Sequence, residues 1–136
     1  MHLCLTYNHQ KDKLKLQVFS ARNLPPVSDE NDYCLRTSVI VGVRAVKTKQ
    51  TEVHPTLEGI FQCSYAFQIP QKLLDSCCIQ FTVIQIEKKS KREIVFAQST
   101  VGPCIYAHGS GLNHWKLMLA NTRKNIDMWH KLIIND

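Results

Sequence analysis

Several short stretches of the chain alternate between apolar and polar residues with a period of two, which is typical of β-strands with one buried face. Leu14, Leu16 and Val18 share one face of the stretch 14–21, and apolar or aromatic side chains share one face of the stretch 60–69. Proline, glycine and polar clusters separate the stretches and predict turns. The pattern predicts eight strands, at residues 3–8, 14–21, 34–41, 44–51, 60–69, 77–86, 94–101 and 126–134.

One segment near the C-terminal end follows a different period. Leu112, Trp115 and Met118 recur at helical spacing. This spacing predicts a short α-helix that begins at Asn113 or in the turn at residues 109–111. Eight strands with one late helix indicate an all-β fold, an antiparallel β-sandwich of two sheets.

Size and charge narrow the class of protein. The 136 residues, 44% of them hydrophobic, fit a single domain over residues 1–136. Lys and Arg number 17 against 11 Asp and Glu, a formal charge of +6, so the surface favours anionic partners such as acidic lipids or acidic proteins. The sequence shows neither a signal peptide nor an apolar run of the roughly 18 residues that span a bilayer. We expect a cytoplasmic or nuclear protein.

The six cysteines include no CxxC pair, and most lie in apolar, strand-like stretches, which favours reduced and buried thiols over a disulfide framework. Because adjacent strand positions point to opposite faces, we expect one of Cys77 and Cys78 in the core and the other more exposed.

Motifs for catalysis are missing from the sequence. It contains no GxSxG, no HExxH, no paired-cysteine zinc motif and no glycine-rich phosphate loop. We therefore expect a binding module that is not an enzyme and that needs no cofactor or metal.

The C-terminal third carries an ordered set of short motifs. A glycine turn at residues 109–111 is followed by His114-Trp115, by the basic pair Arg123-Lys124 and by a WHxL sequence at residues 129–132. This order resembles the end of the second C2 domain of the synaptotagmin family, and residues 14–24 and 61–70 resemble strands of that domain. The resemblance covers nearly the whole chain and implies an eight-stranded C2 sandwich, the C-terminal C2 domain of a tandem C2 protein.

The resemblance also implies a place where calcium would bind, in two loops at one end of the sandwich. About five carboxylates hold the ions in such a site, since Ca²⁺ prefers several oxygen ligands. The corresponding positions are degenerate here: Ser28 (or Asp29), Asp32, Gln85, Glu87 and Glu93. Four basic residues share the second loop and would repel the ion: Lys88, Lys89, Lys91 and Arg92. We expect no tight calcium binding.

Two basic features are candidates for lipid contact. The loop with four basic residues would attract anionic lipid without calcium; the alternatives are an ordinary solvated loop or, for residues 88–92, a nuclear import signal. In the fourth strand Lys47 and Lys49 project from one face, with Arg44 and Arg36 nearby. The family carries a denser lysine run there, which resembles a site for phosphoinositides and acidic proteins.

Residues near the C-terminal end are candidates for partner binding. The resemblance places Arg123 and Lys124 at the end opposite the loops, and it links the WHxL motif with docking to partner proteins. For Trp129 we favour a role as a packing anchor, and for His130 a structural hydrogen bond.

Two hypotheses follow. The first is a peripheral membrane module that binds anionic phospholipids or phosphoinositides without calcium, in trafficking or exocytosis. The alternative is a protein-interaction domain, self-associating or docking a partner, with little lipid binding and a nuclear location. Neither hypothesis includes a specific nucleic acid partner.

Overall fold

The computed structural model of the chain describes residues 1–135. Within that range it forms nine strands, two short 3-10 turns and one α-helix. The strands are β1 (His2–Asn8), β2 (Lys13–Ser20), β3 (Asn31–Val41), β4 (Arg44–Gln50), β5 (Cys63–Gln68), β6 (Cys77–Glu87), β7 (Glu93–Val101), β8 (Ile126–Trp129) and β9 (Ile133–Ile134). The helix is α1 (Gly109–Ala120), and the 3-10 turns are Glu58–Ile60 and Gln71–Leu73.

The strands form two antiparallel sheets that face each other. The first sheet has the order β5-β2-β1-β8 and the second the order β4-β3-β6-β7-β9. Their inner faces enclose one apolar core, to which Leu5 and Leu16 contribute from the first sheet and Leu35 and Phe81 from the second. The alternating residues thus bury one face of each sheet, and the predicted all-β sandwich is confirmed.

The last predicted strand, residues 126–134, is wrong as a single element. β8 pairs with β1 in the first sheet, whereas β9 pairs with β7 in the second. Between them the N–H of His130 donates to the carbonyl of Met1, the residue before β1, at 2.8 Å. Residues 130–132 therefore carry the chain from one sheet to the other.

Helix α1 begins at Gly109 and packs its apolar face on the sheets. Trp115 is buried, and its indole Nε1 donates to the carbonyl of Leu74 at 3.2 Å. Gly111 lies so close to β7 that a Cβ atom there would be 2.1 Å from the carbonyl oxygen of Thr100. Among residues 1–135, none of the helical segments could span a lipid bilayer.

Cys77 and Cys78 are both buried, at 0% and 2% exposure, so the expectation of one exposed thiol is wrong. β6 lies inside its sheet, and Gly102 covers its outer face: a Cβ at Gly102 would be 2.7 Å from the Cβ of Cys78. Burial raises the pKa of Cys77 to about 11, and burial followed by the neighbouring Cys77 raises that of Cys78 to about 12. Cys104, by contrast, is an exposed free thiol.

Three loops meet at one end of the sandwich, which we call the tip. The β2–β3 and β6–β7 loops are joined by the N–H of Lys88, which donates to the carbonyl of Glu30 at 3.0 Å. The β4–β5 connection joins the same end through His54, whose main chain exchanges hydrogen bonds with Tyr33. The β1–β2 turn lies at the opposite end.

Candidate lipid-binding and partner-binding surfaces

The five predicted calcium positions do not converge on one point. In the strand register Asp32 lies opposite Ile86, and Ile86 lies opposite Glu93. Neighbouring positions on a strand point to opposite faces, so Asp32 and Glu93 project from one face of the second sheet. Gln85 and Glu87 project from the other face, and Ser28 lies in the β2–β3 loop.

Asn31 is the residue that the sequence analysis missed. It pairs with Glu87 in the register and therefore shares a face with Glu87 and Gln85. The position nearest the β6–β7 loop thus carries a neutral amide, while Asp32 points away. Only the pairing of β3 with β6 reveals this, because the sequence alone leaves the short loop free to slip by one residue.

Three acidic residues at the predicted calcium positions, Asp32, Glu87 and Glu93, already have partners within the protein. The Lys88 ammonium lies 3.8 Å from Asp32 Oδ1, and Arg36 Nη2 donates to Glu93 Oε1 at 3.1 Å. Glu87 Oε1 accepts a hydrogen bond from Ser90 Oγ at 3.0 Å. Within residues 1–135 no group of three His, Cys, Asp or Glu side chains is arranged to hold a metal ion.

The β6–β7 loop presents Lys88, Lys89, Lys91 and Arg92 on an exposed turn, and we call these four residues the cationic loop. Lys91 has a left-handed backbone conformation, φ 62°, and its N–H donates to the carbonyl of Glu87 at 2.8 Å. In the described part of the chain no carboxylate lies within 4.0 Å of the charged atoms of Lys89, Lys91 or Arg92. These three cations are free to meet an external anion.

Two apolar side chains are exposed in the other loops of the tip. Val27 in the β2–β3 loop is 38% exposed, and Val53 in the β4–β5 connection is 50% exposed. The tip therefore combines exposed positive charge with apolar groups that water solvates poorly.

β4 carries a second basic surface, the β4 patch, formed by Arg44, Lys47 and Lys49. They lie opposite Val41, Val39 and Thr37, alternate positions of β3 that share one face. A register shift between Val39 and Ile40 places Arg44 on the same face as the two lysines, although residues 44 and 47 differ by an odd number.

Arg36 does not belong to the β4 patch, contrary to the expectation from the sequence. It lies opposite Gln50 and donates from Nε to Gln50 Oε1 at 3.1 Å, on the other face of the sheet. Its remaining charge is directed to Glu93. Arg36 therefore connects Gln50 at the end of β4 with Glu93 at the start of β7.

Trp129, for which the sequence predicts a packing role, is 39% exposed and packs at the surface of the domain. Its ring stacks on His2 with centroids 4.9 Å apart, and the guanidinium of Arg22 lies 4.0 Å from the ring centroid. Beside it a groove of about 560 Å³ opens between the two sheets. Apolar side chains line this groove, which also carries Arg22 and Lys131 and has no carboxylate among its described lining residues.

Comparison with known proteins identifies the family. The sequence profile of the C2 domain matches residues 12–118. The chain belongs to the C2 domain family. Synaptotagmin-5 of Homo sapiens is 30% identical over 131 residues, which cover 94% of this chain and 33% of the relative. Synaptotagmin-11 of Homo sapiens is 29% identical over 137 residues, covering 97% of this chain and 31% of the relative.

This C2 domain thus spans about a third of the length of those synaptotagmins. Solved C2 domains share the fold: the third C2 domain of the KIAA1228 protein superposes with a TM-score of 0.69 at 19% identity, covering 97% of this chain and 85% of that one. A C2 domain of RIM2 gives 0.56 at 12% identity, covering 74% and 81%. The family consists of non-catalytic modules, which agrees with the expectation that the chain is not an enzyme. The nuclear alternative receives no support from these comparisons.

His130 lies inside the C2 domain, where it is 4% exposed. His114 Nε2 lies 2.6 Å from the carbonyl of Ile126 and must donate to it, so His114 Nδ1 accepts from His130 Nε2 at 2.7 Å. His130 Nδ1 then accepts from Ser110 Oγ at 3.0 Å. His130 therefore joins α1 to the crossover between sheets and does not itself face a partner.

The other predicted partner residues are found at the opposite end of the C2 domain. The N–H of Arg123 donates to the carbonyl of Tyr7 at 2.8 Å, beside the β1–β2 turn. Arg123 and Lys124 are exposed there, far along β8 from Trp129. The four predicted partner residues thus form two separate surfaces and not one.

Proposed function

We propose that this C2 domain binds anionic phospholipid membranes as a calcium-independent peripheral module in trafficking or exocytosis. It acts as the C-terminal C2 domain of a tandem C2 protein, at the cytoplasmic surface of a membrane. The observation that carries the proposal is the cationic tip, where the loop offers free cations while Asp32, Glu93 and Glu87 are engaged by Lys88, Arg36 and Ser90.

The energetics favour a reversible, salt-sensitive attachment. Each basic residue held close to an anionic surface contributes about 1 kcal/mol, and the contribution falls off within a Debye length of about 10 Å at 0.1 M salt. Three free cations with Lys88 are therefore enough for measurable binding. Val27 and Val53 add apolar contact at the same end.

The β4 patch extends the basic surface along the side of the sandwich. At about 3.4 Å per residue, Arg44 and Lys49 are roughly 17 Å apart. A phosphoinositide headgroup with several phosphates fits between two such cations better than a single phosphate does. We assign this surface to the polyanionic headgroups.

Co-sedimentation with phosphatidylcholine vesicles that contain graded phosphatidylserine or phosphatidylinositol 4,5-bisphosphate tests the proposal. Binding is expected to rise with anionic lipid, to fall between 50 and 300 mM salt, and to be the same with calcium and with chelator. The variant K89A/K91A/R92A, which keeps the Lys88 tether, is expected to lose at least tenfold in partition coefficient. The control is R123A/K124A, which removes two charges from the opposite end, so the loss of binding is compared per charge removed.

Failure to pellet at 50 mM salt with 30% phosphatidylserine would refute the proposal. Normal pelleting of the triple variant would remove the cationic loop from the mechanism. A requirement for calcium would refute the calcium-independent form of the proposal.

A second candidate function rests on the groove beside Trp129. Its apolar lining, its two basic residues and the exposed ring favour the docking of an acidic, apolar protein segment, either from a partner or from a second copy of the domain. Sedimentation equilibrium of the wild type and of W129A tests the self-associating form. A monomer at all concentrations up to the millimolar range argues against self-association.

A further inference from the structure

Ser90 stands in the middle of the cationic loop, with Lys88 and Lys89 before it and Lys91 and Arg92 after it. It is exposed on the turn between β6 and β7. Thr48 also has basic neighbours, but it lies within β4 and its hydroxyl is 3.2 Å from that of Ser38 in a part-buried contact. Ser90 thus combines two basic residues on each side with an exposed turn.

The present contacts of Ser90 stabilise the turn. Its Oγ donates to Glu87 Oε1 at 3.0 Å and accepts from the N–H of Arg92 at 3.2 Å. A phosphate on Oγ would remove the donor to Glu87 and would place two negative groups side by side. The phosphate would then turn toward the lysines of the loop. These are the side chains that would otherwise contact the anionic lipid headgroups.

We propose that Ser90 is a phosphorylation site for a kinase that prefers basic substrates, and that phosphate at this position releases the domain from membranes. The kinase transfers the γ-phosphoryl group of ATP to Ser90 Oγ; the hydroxyl gives up its proton, the bond from the γ-phosphorus to the bridging oxygen breaks, and ADP leaves. This inference rests on the proposed membrane function and names its regulation.

The charge balance makes the switch effective. The loop and its two flanking glutamates carry four cations against two carboxylates. A phosphoserine adds about −1.5 to −2 charges at pH 7, which cancels the net positive charge of the turn. Phosphorylation is known to release basic segments from anionic membranes by this electrostatic route.

The test has two arms. In the first, the folded domain is incubated with ATP and the catalytic subunit of a basophilic kinase such as the cAMP-dependent protein kinase or protein kinase C. Mass spectrometry is expected to find 80 Da on Ser90 in the wild type and none there in S90A. Absence of label at Ser90 with both enzymes, while an unfolded peptide of residues 84–96 is labelled, would show that the folded turn is not a substrate and overturn the site.

In the second arm, phosphoserine is installed during synthesis at position 90 and binding to phosphatidylserine vesicles is measured, so that this arm does not depend on a kinase. We expect a partition coefficient lower by about tenfold or more. The matched control carries phosphoserine at position 64, an exposed site on the outer face of β5, where the same charge is expected to change binding by less than about threefold.

The outcomes separate the two proposals. Equal pelleting of the unmodified and phosphorylated proteins overturns the switch and leaves the proposed function standing. Absence of pelleting by the unmodified protein refutes the proposed function and with it the switch. An equal loss from phosphoserine at positions 64 and 90 overturns the local mechanism, since total charge would then suffice.

Discussion

The imidazole rings of His114 and His130 stack 12° from parallel with centroids 4.9 Å apart, and a hydrogen bond of 2.7 Å joins Nδ1 of the first to Nε2 of the second. Because His114 Nδ1 accepts the proton of His130 Nε2, it cannot also carry a proton while this hydrogen bond is present. Burial, the neighbouring His114 and the N-terminal amine lower the pKa of His130 to about 4, and burial lowers the pKa of His114. The folded state therefore holds both rings neutral.

The first prediction is a loss of stability in mild acid. Above about pH 7.5 both rings are almost fully neutral in the folded and unfolded states, so they cause little pH dependence. As the pH falls toward and below 6.5, the two histidines become protonated in the unfolded chain while they stay neutral in the folded protein. The free energy of unfolding therefore decreases until about pH 4. For His130 the loss reaches up to about 3 kcal/mol. Urea denaturation from pH 7.5 to 4.5 measures it, and H130Q is expected to show a shallower slope; equal slopes would contradict the prediction.

The second prediction concerns calcium. Isothermal titration of the domain with Ca²⁺ is expected to give no saturable heat at micromolar concentrations, because Asp32, Glu87 and Glu93 have partners within the protein and are split between two faces. The variant K88A frees only one carboxylate, that of Asp32. It is also expected to give no saturable heat with Ca²⁺, since the ion needs several oxygen ligands. Its cost in stability is expected to be below about 1 kcal/mol, as for exposed ion pairs. Saturable heat in either protein would contradict the prediction.

The third prediction tests the register shift in β4. R44A and K49A are expected to weaken binding to phosphatidylinositol 4,5-bisphosphate vesicles to a similar extent, by about three- to fivefold each, because both side chains project from the same face. K15A removes one charge from the outer face of the first sheet and serves as the control. If R44A behaves like K15A, Arg44 does not belong to the lipid-binding surface.

The fourth prediction concerns the contact between α1 and β7. G111A is expected to destabilise the domain by about 1–3 kcal/mol, because the new methyl group would overlap the carbonyl of Thr100 and overpacking of that kind outweighs the helix preference of alanine. Thermal unfolding measures the change. K116A, on the exposed side of the same helix, is expected to stay within about 0.5 kcal/mol of the wild type. A G111A protein as stable as the wild type would show that the helix can shift.

The fifth prediction ranks the thiols by reactivity. A maleimide probe at pH 7.5 is expected to label Cys104 first, because that side chain is exposed. Cys77 and Cys78 are expected to stay unlabelled in the folded protein, since their thiols are buried and their pKa values lie at about 11 and about 12. Mass spectrometry after timed quenching measures the order in which the thiols are labelled. Labelling in urea serves as the control that all six thiols can react with the probe. Equal rates at Cys78 and Cys104 would contradict the buried arrangement.

The alternation of side chains was sufficient to predict most of the sandwich. In β2 the residues Leu14, Leu16 and Val18 are all buried and their neighbours more exposed, so that a period of two is visible in the sequence. The C-terminal stretch could not be assigned in the same way. Local alternation says nothing about which sheet a strand joins, and residues 126–134 divide between two.

The candidate sites depended on contacts that are distant in the sequence. Trp129 packs at the surface against His2 and Arg22, which lie more than a hundred residues earlier in the chain. No local sequence pattern predicts this contact. Arg36 and Asp32 take their partners, Glu93 and Lys88, from other strands and loops. The composition of the cationic loop, by contrast, is local and could be predicted in full.

β8 is an edge strand of the first sheet and β9 is an edge strand of the second. The short segment 130–132 links these two strands covalently. The two layers therefore cannot slide past one another unless one of these strands detaches. A ligand that binds at Leu132, between the two strands, would contact the segment that joins both sheets.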